Sequence, residues 1–148
     1  MPGLEDLYRE IILDHHRSPR NRGSLEPPAA HAIGHNPLCG DEIEVYLQVD
    51  DGVVTNVKVG GQGCSISQSS ASMMSQAVKG KPVDEVRALV LRFKGMLGIV
   101  DDDGNPIEVD PEVDLGDLEA LQGVAKFPVR IKCAVLSWNT LVDALAKA

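Results

Sequence analysis

The sequence predicts a chain of both α and β elements, with helices before and after one antiparallel hairpin. Three observations predict it. Leu4, Leu7, Tyr8, Ile11 and Ile12 recur at helical spacing near the start. Val135, Trp138, Leu141, Val142 and Leu145 do so at the end. Between them, two runs of alternating apolar residues flank Asp51-Gly52, a pair suited to a two-residue turn whose central positions both need positive φ.

Taken in order, the first helix ends before Ser18-Pro19. His15 and His16 fall at its end, point in different directions, and are expected to interact with the negative helix terminus rather than share a metal. Residues 17–30, with Pro19, Gly23, Pro27 and Pro28, read as an extended loop. Ile43, Val45, Leu47 and Val49 alternate with polar residues, and Val53, Thr55, Val57 and Val59 alternate back, giving a hairpin over 41–59. Ile66, Ser70, Met73 and Ala77 suggest a helix over 65–79, closed by Gly80, although serine is only a modest helix former. Residues 82–94 form a clearer helix, with Pro82 in its first turn and Val86, Leu89, Val90 and Phe93 on one face. Leu115, Leu118 and Leu121 indicate a short helix before Gly123, and the last helix is expected over 134–148.

At 148 residues the chain is expected to be one domain with a core built from Val, Leu, Ile, Ala and Met, since aromatic residues are only 3%. No apolar run reaches the roughly 18 residues of a membrane span, and the first residues lack a signal-peptide pattern. A net charge of −8 argues against nucleic-acid binding, which needs a basic face. The acid is concentrated: nine of the 22 carboxylates lie between Asp101 and Glu119 with no Lys or Arg among them. Asp101-Asp102-Asp103-Gly104-Asn105-Pro106 is expected to be a solvated turn, because an EF-hand loop requires Gly where Pro106 stands. Gly60-Gly61-Gln62-Gly63 has neither a P-loop ending nor dinucleotide spacing. No zinc-deaminase pattern or Ser/His/Asp triad signature is present.

The chemistry rests on three cysteines. Cys39 and Cys64 sit among Gly, Pro, Asn and Ser, and Cys133 borders an apolar run. An odd, small number of thiols argues against a disulfide framework and fits a reducing cytosol. A free cysteine is often an inert buried hydrophobe, but turn contexts are unlike core positions. Their spacing matches no zinc-finger pattern, so convergence must come from the fold. With Asp41 the three thiols make four candidate ligands, the number a tetrahedral zinc needs. The hairpin places Cys39, Asp41 and Cys64 at one open end. Cys64 and Cys133 are each expected at a helix start, where the dipole favours thiolate.

Pro37-x-Cys39-Gly40-Asp41, Gly63-Cys64-x-Ile66-Ser67-x-Ser69 and a third cysteine opening the last helix resemble the U-type iron–sulfur cluster assembly proteins (IscU, NifU N-terminal domain, SufU) over nearly the whole chain. The resemblance implies an α+β fold, a small antiparallel sheet packed against several helices, and a metal site made by Cys39, Asp41, Cys64 and Cys133. Lys132 stands where IscU-type scaffolds carry a histidine, and residues 95–124 look like the SufU-type acidic insertion. Both point to the SufU branch. That branch implies a cytoplasmic, zinc-dependent sulfur acceptor. Its partners would be a pyridoxal-phosphate (SufS-like) cysteine desulfurase and other SUF assembly proteins, with Cys39 taking the persulfide sulfur. The alternatives are a scaffold carrying a transient iron–sulfur cluster and an adaptor whose zinc is structural.

Overall fold

The structure is a computed structural model that describes residues 4–37 and 40–148, with side chains from residue 6 onward. Its elements are α1 (Leu4–Arg17), β1 (Ala30–Asn36), β2 (Asp41–Asp50), β3 (Val53–Gln62), α2 (Ser65–Val78), α3 (Val83–Met96), a 3-10 segment (Gly116–Lys126) and α4 (Pro128–Lys147). Among the described residues the strands make one antiparallel sheet in the order β1-β2-β3. The architecture is α+β, as the sequence resemblance implied.

The hairpin turns on Asp51 (φ 51°) and Gly52 (φ 73°), both in the left-handed region the turn requires. The alternation expected after it is broken by a bulge. Gln48 pairs with Asn56 and Val49 with Val54, so Thr55 is the extra residue. Val54, Val57 and Val59 therefore face the core, not Val53 and Thr55. The Thr55 hydroxyl, left outside, bonds to Gln48 O (3.2 Å) and the Asp50 carboxylate (2.9 Å).

Strand β1 was not expected. Its sequence, Ala-His-Ala-Ile-Gly-His-Asn, holds few good strand formers, and its one large aliphatic residue, Ile33, is exposed. Pairing with β2 and packing under α4 make the strand. At Gly34 a Cβ would collide with Thr140 of α4, so the residue that weakens the strand pattern is where helix and sheet approach most closely.

Helix α4 packs across β1 and β2, and α2 lies against β3, α1 and α4. Ala32, Ile43, Val45, Leu47, Val57, Met74, Phe93, Trp138 and Leu141 form the centre of the core. Burying each large aliphatic side chain contributes about 1.5–3 kcal/mol relative to leaving it in water. Phe93 stacks on Trp138 at 4.5 Å between ring centres, joining α3 to α4. The expected apolar face of α3 is buried, but Pro82 is its N-cap rather than a first-turn residue.

The serines that weaken α2 as an isolated helix are what let it pack tightly. Ser69 bonds to Ile12 O of α1 (2.9 Å), while Ser70 bonds to Ala134 O and receives the Trp138 indole N–H (3.1 Å). Each buried hydroxyl is small enough for close helix approach and has a partner, so its burial carries no unpaired polar group. On the 3-10 segment, Leu118, Leu121 and Val124 are buried, as is Leu115 at its N-cap. A strict spacing of three eclipses side chains at 3.0 residues per turn, which selects 3-10 over α geometry and carries the element past Gly123 to Lys126.

Helix α4 begins at Pro128, six residues before the expected Ala134, because Pro128 at the first helical position already has the φ a helix needs. Cys133 therefore lies in the second turn of α4, not at its start. His15 is also corrected. It is 1% exposed and reaches away from its helix end, with Nδ1 2.7 Å from Ser72 Oγ and Nε2 3.3 Å from the Asp117 carboxylate. Burial pushes its imidazole below the ordinary 6.5, against the opposing pull of Asp117. Below that value the unfolded chain binds more protons at this site than the folded one, so stability falls as pH drops from about 6.5 and levels off beneath the folded pKa. Urea midpoints of the wild type should fall through this window, and the fall should be shallower in His15→Gln. Identical slopes would refute the assignment.

Candidate metal centre

The open end of the hairpin builds the site. Asp41 begins β2, and Glu42 pairs with Gln62 at the end of β3, so Gly63 and Cys64 come back beside Asp41. Two glycines permit this return. Gly61 has φ 105°, and a Cβ there would fall on the Glu42 carbonyl. A Cβ on Gly63 would strike the Asp41 carboxylate and come within 2.5 Å of Ser67 Oγ.

Cys64 is the N-cap of α2, as expected of a helix start. Its backbone N–H donates to Asp41 Oδ1 at 2.9 Å, and its carbonyl accepts from Ser67 Oγ at 3.0 Å. Its sulfur is 3.8 Å from the same hydroxyl. Cys133 arrives from the other side on α4, 1% exposed, with Sγ 3.7 Å from Val129 O and 3.9 Å from Asn36 Nδ2.

The ligand atoms of Asp41, Cys64 and Cys133 all lie within 4.8 Å of one another. Zinc bound tetrahedrally at about 2.3 Å per sulfur would separate sulfurs by roughly 3.8 Å, so the cluster fits with small side-chain adjustments. Asp41 supplies the sharper test. It is 2% exposed, one oxygen is used by Cys64 N–H, and Oδ2 has no hydrogen-bond partner among the described residues. A buried carboxylate oxygen without a partner is costly, and a cation beside two thiols is the partner that would satisfy it. Soft sulfur donors with one carboxylate suit zinc and iron–sulfur chemistry.

Of the four residues expected here, Asp41, Cys64 and Cys133 converge, and Cys39 lies outside the described residues, as does Leu38. Sequence reasoning missed Asn36, the Cα partner of Asp41 across β1 and β2. Its signal was hidden with the strand that carries it. Lys132 is exposed beside the buried Cys133.

Known proteins are similar to this chain in sequence and in fold. The chain is 46% identical to the zinc-dependent sulfurtransferase SufU of Bacillus subtilis over 97% of its length and 92% of that protein's. It is 39% identical to the iron–sulfur cluster assembly scaffold protein IscU of Streptococcus pyogenes, over 98% of this chain and 86% of that one. The crystal structure of a nitrogen-fixing NifU-like protein (N-terminal) from Brucella abortus superposes with a TM-score of 0.79 at 27% identity, covering 98% of this chain and 96% of that one. The NifU-like N terminal domain model matches residues 7–142, from within α1 to within α4 and including every described member of the cluster, and the chain belongs to that family.

Proposed function

We propose that this chain is a zinc-dependent sulfur acceptor that works with a pyridoxal-phosphate cysteine desulfurase in iron–sulfur cluster assembly. The observation that carries the reading is the Asp41–Cys64–Cys133 cluster, in which Asp41 and Cys133 are buried and one Asp41 oxygen has no partner among the described residues, in a chain 46% identical to a zinc-dependent sulfurtransferase. Zinc held there supplies charge neutralisation that keeps the sulfur donors as thiolates. The whole chain acts as one domain, with the acidic 95–124 segment as an insertion. A thiol site of this kind suits a reducing compartment, which supports a cytoplasmic location. No helix among the described residues is long and apolar enough to cross a membrane.

Cys39 is the proposed acceptor and fourth ligand. It is two residues from Asp41, so chain length alone keeps it within about 7 Å of that residue. Its thiolate sulfur bonds to the terminal sulfur of the partner's cysteine persulfide. The partner's S–S bond breaks, and the bonding pair leaves with the partner cysteine as a thiolate. The product is a persulfide on Cys39, and no external oxidant or reductant is consumed. Asp41 and Cys64 hold the neighbouring backbone through the 2.9 Å bond, while α4 fixes Cys133. A groove of about 770 Å³ lined by Tyr8, Ile12, Ile66, Phe127 and Arg130 opens beside Cys64 and α4, and offers apolar and cationic surface to the desulfurase.

The second reading, a scaffold for a transient iron–sulfur cluster, is favoured by the 39% identity to an IscU scaffold. Metal analysis and desulfurase assays separate the two. Protein purified without added iron should hold about one zinc per chain, show no visible absorption, and raise desulfurase turnover at least about tenfold. Metal-free protein should not. Equal stimulation by zinc-loaded and metal-free protein, or a native coloured cluster in place of zinc, would overturn the sulfur-acceptor reading.

A further inference from the structure

Asn36 is not one of the proposed ligands, yet it is buried against the centre. It ends β1 at 7% exposure, directly opposite Asp41, and its Nδ2 points at Cys133 Sγ from 3.9 Å. Strand pairing fixes it from one side, and the packing of α4 on β1 fixes the sulfur from the other. An amide N–H donated to an anionic sulfur is a charge-assisted bond, which orients the sulfur and draws electron density from its lone pairs.

We propose that Asn36 is a positioning residue of the metal centre, whose side-chain N–H fixes the Cys133 sulfur and lowers its nucleophilicity, so that Cys133 stays a resident ligand. The inference rests on the proposed metal centre, and its link to sulfur transfer rests on the reading of Cys39 as acceptor. Outer partners of this kind typically change metal affinity 10- to 100-fold. The bond also explains a division of labour. Two buried or backbone-tied sulfurs, Cys64 and Cys133, are held in place, and exchange is left to Cys39.

Asn36→Leu keeps the side-chain shape and removes the donor. Asn36→Asp keeps the shape and replaces the donor with an acceptor. Cobalt(II) loaded into wild type and both variants reads the sulfur directly through its thiolate-to-cobalt charge-transfer band. Loss of the N–H raises the sulfur lone pairs in energy, so both variants should bind cobalt tetrahedrally with that band moved to longer wavelength. Zinc affinity of Asn36→Leu, measured by chelator competition, should fall about 10- to 100-fold. An unmoved band overturns the proposal even if melting temperature or affinity drops, because packing alone would then explain the residue. A folded variant that binds no cobalt also overturns it, since a positioning residue supplies no ligand. If Asn36→Leu does not fold, the band in Asn36→Asp decides. None of these measurements needs the desulfurase, so a failure of the sulfur-acceptor reading is seen separately in the turnover assay.

Discussion

Cys39→Ala is expected to cut sulfur uptake from the desulfurase by at least about three orders of magnitude, because it removes the reacting atom itself. The thermal melt should stay cooperative, since the core is built by Leu47, Met74, Phe93, Trp138 and Leu141 and does not include Cys39's neighbours Gly40 and Asp41. Cys64→Ala and Cys133→Ala should fail differently. Each removes a ligand that the fold has pre-set, Cys64 as the N-cap of α2 and Cys133 at 1% exposure on α4. Zinc affinity should therefore fall along with transfer. Cys133 is also too enclosed to meet a partner's persulfide without unpacking α4 from β1. Mass mapping of the added sulfur after a single turnover is the decisive measurement. Sulfur on Cys64 or Cys133, with Cys39 unmodified, would contradict the assignment.

How much of this was legible in the sequence depends on which interactions are local. The β2–β3 hairpin is readable because Asp51-Gly52 dictates its own turn, and that turn alone carries Asp41 and Cys64 to one end. The bulge at Thr55 is not readable, because it is set by which valines the helices cover. Strand β1 is invisible for the same reason. Its residues favour no strand, and only β2 beside it and α4 above it impose one, which hid Asn36. Serine's low helix propensity in α2 was outweighed by tertiary bonds from Ser69 and Ser70 to neighbouring helices. The 3-10 geometry was present in the strict spacing of Leu115, Leu118 and Leu121, which α periodicity does not require. The steric demand at Gly63 could not be inferred without knowing that the Asp41 carboxylate lies over it.

Asp41→Asn is expected to reverse the order of melting temperatures when zinc is added. The wild-type carboxylate is 2% exposed and has one oxygen without a partner among the described residues. Asparagine has the same shape. Its carbonyl can keep the 2.9 Å bond from Cys64 N–H, and it buries a neutral amide edge in place of an unpaired charge. In chelator the variant should therefore be more stable than wild type by roughly 1–3 kcal/mol, or about 2–4 °C for each kcal/mol in a chain of this size. Zinc stabilises the folded state in proportion to the logarithm of its affinity, about 1.4 kcal/mol for every tenfold. The wild type, with a carboxylate oxygen free to coordinate, gains more from it than the amide can. With saturating zinc the wild type should melt higher, and the variant should retain the metal through its sulfurs while transferring sulfur about 10- to 100-fold more slowly. A wild type that melts higher both with and without zinc would show that Asp41 is satisfied by the protein alone and would remove the carboxylate from the ligand set. The same variant also separates the two functional readings. If iron, sulfide and reductant give it a stable coloured cluster while desulfurase turnover is undiminished, the centre serves as a scaffold and the sulfur-acceptor mechanism falls.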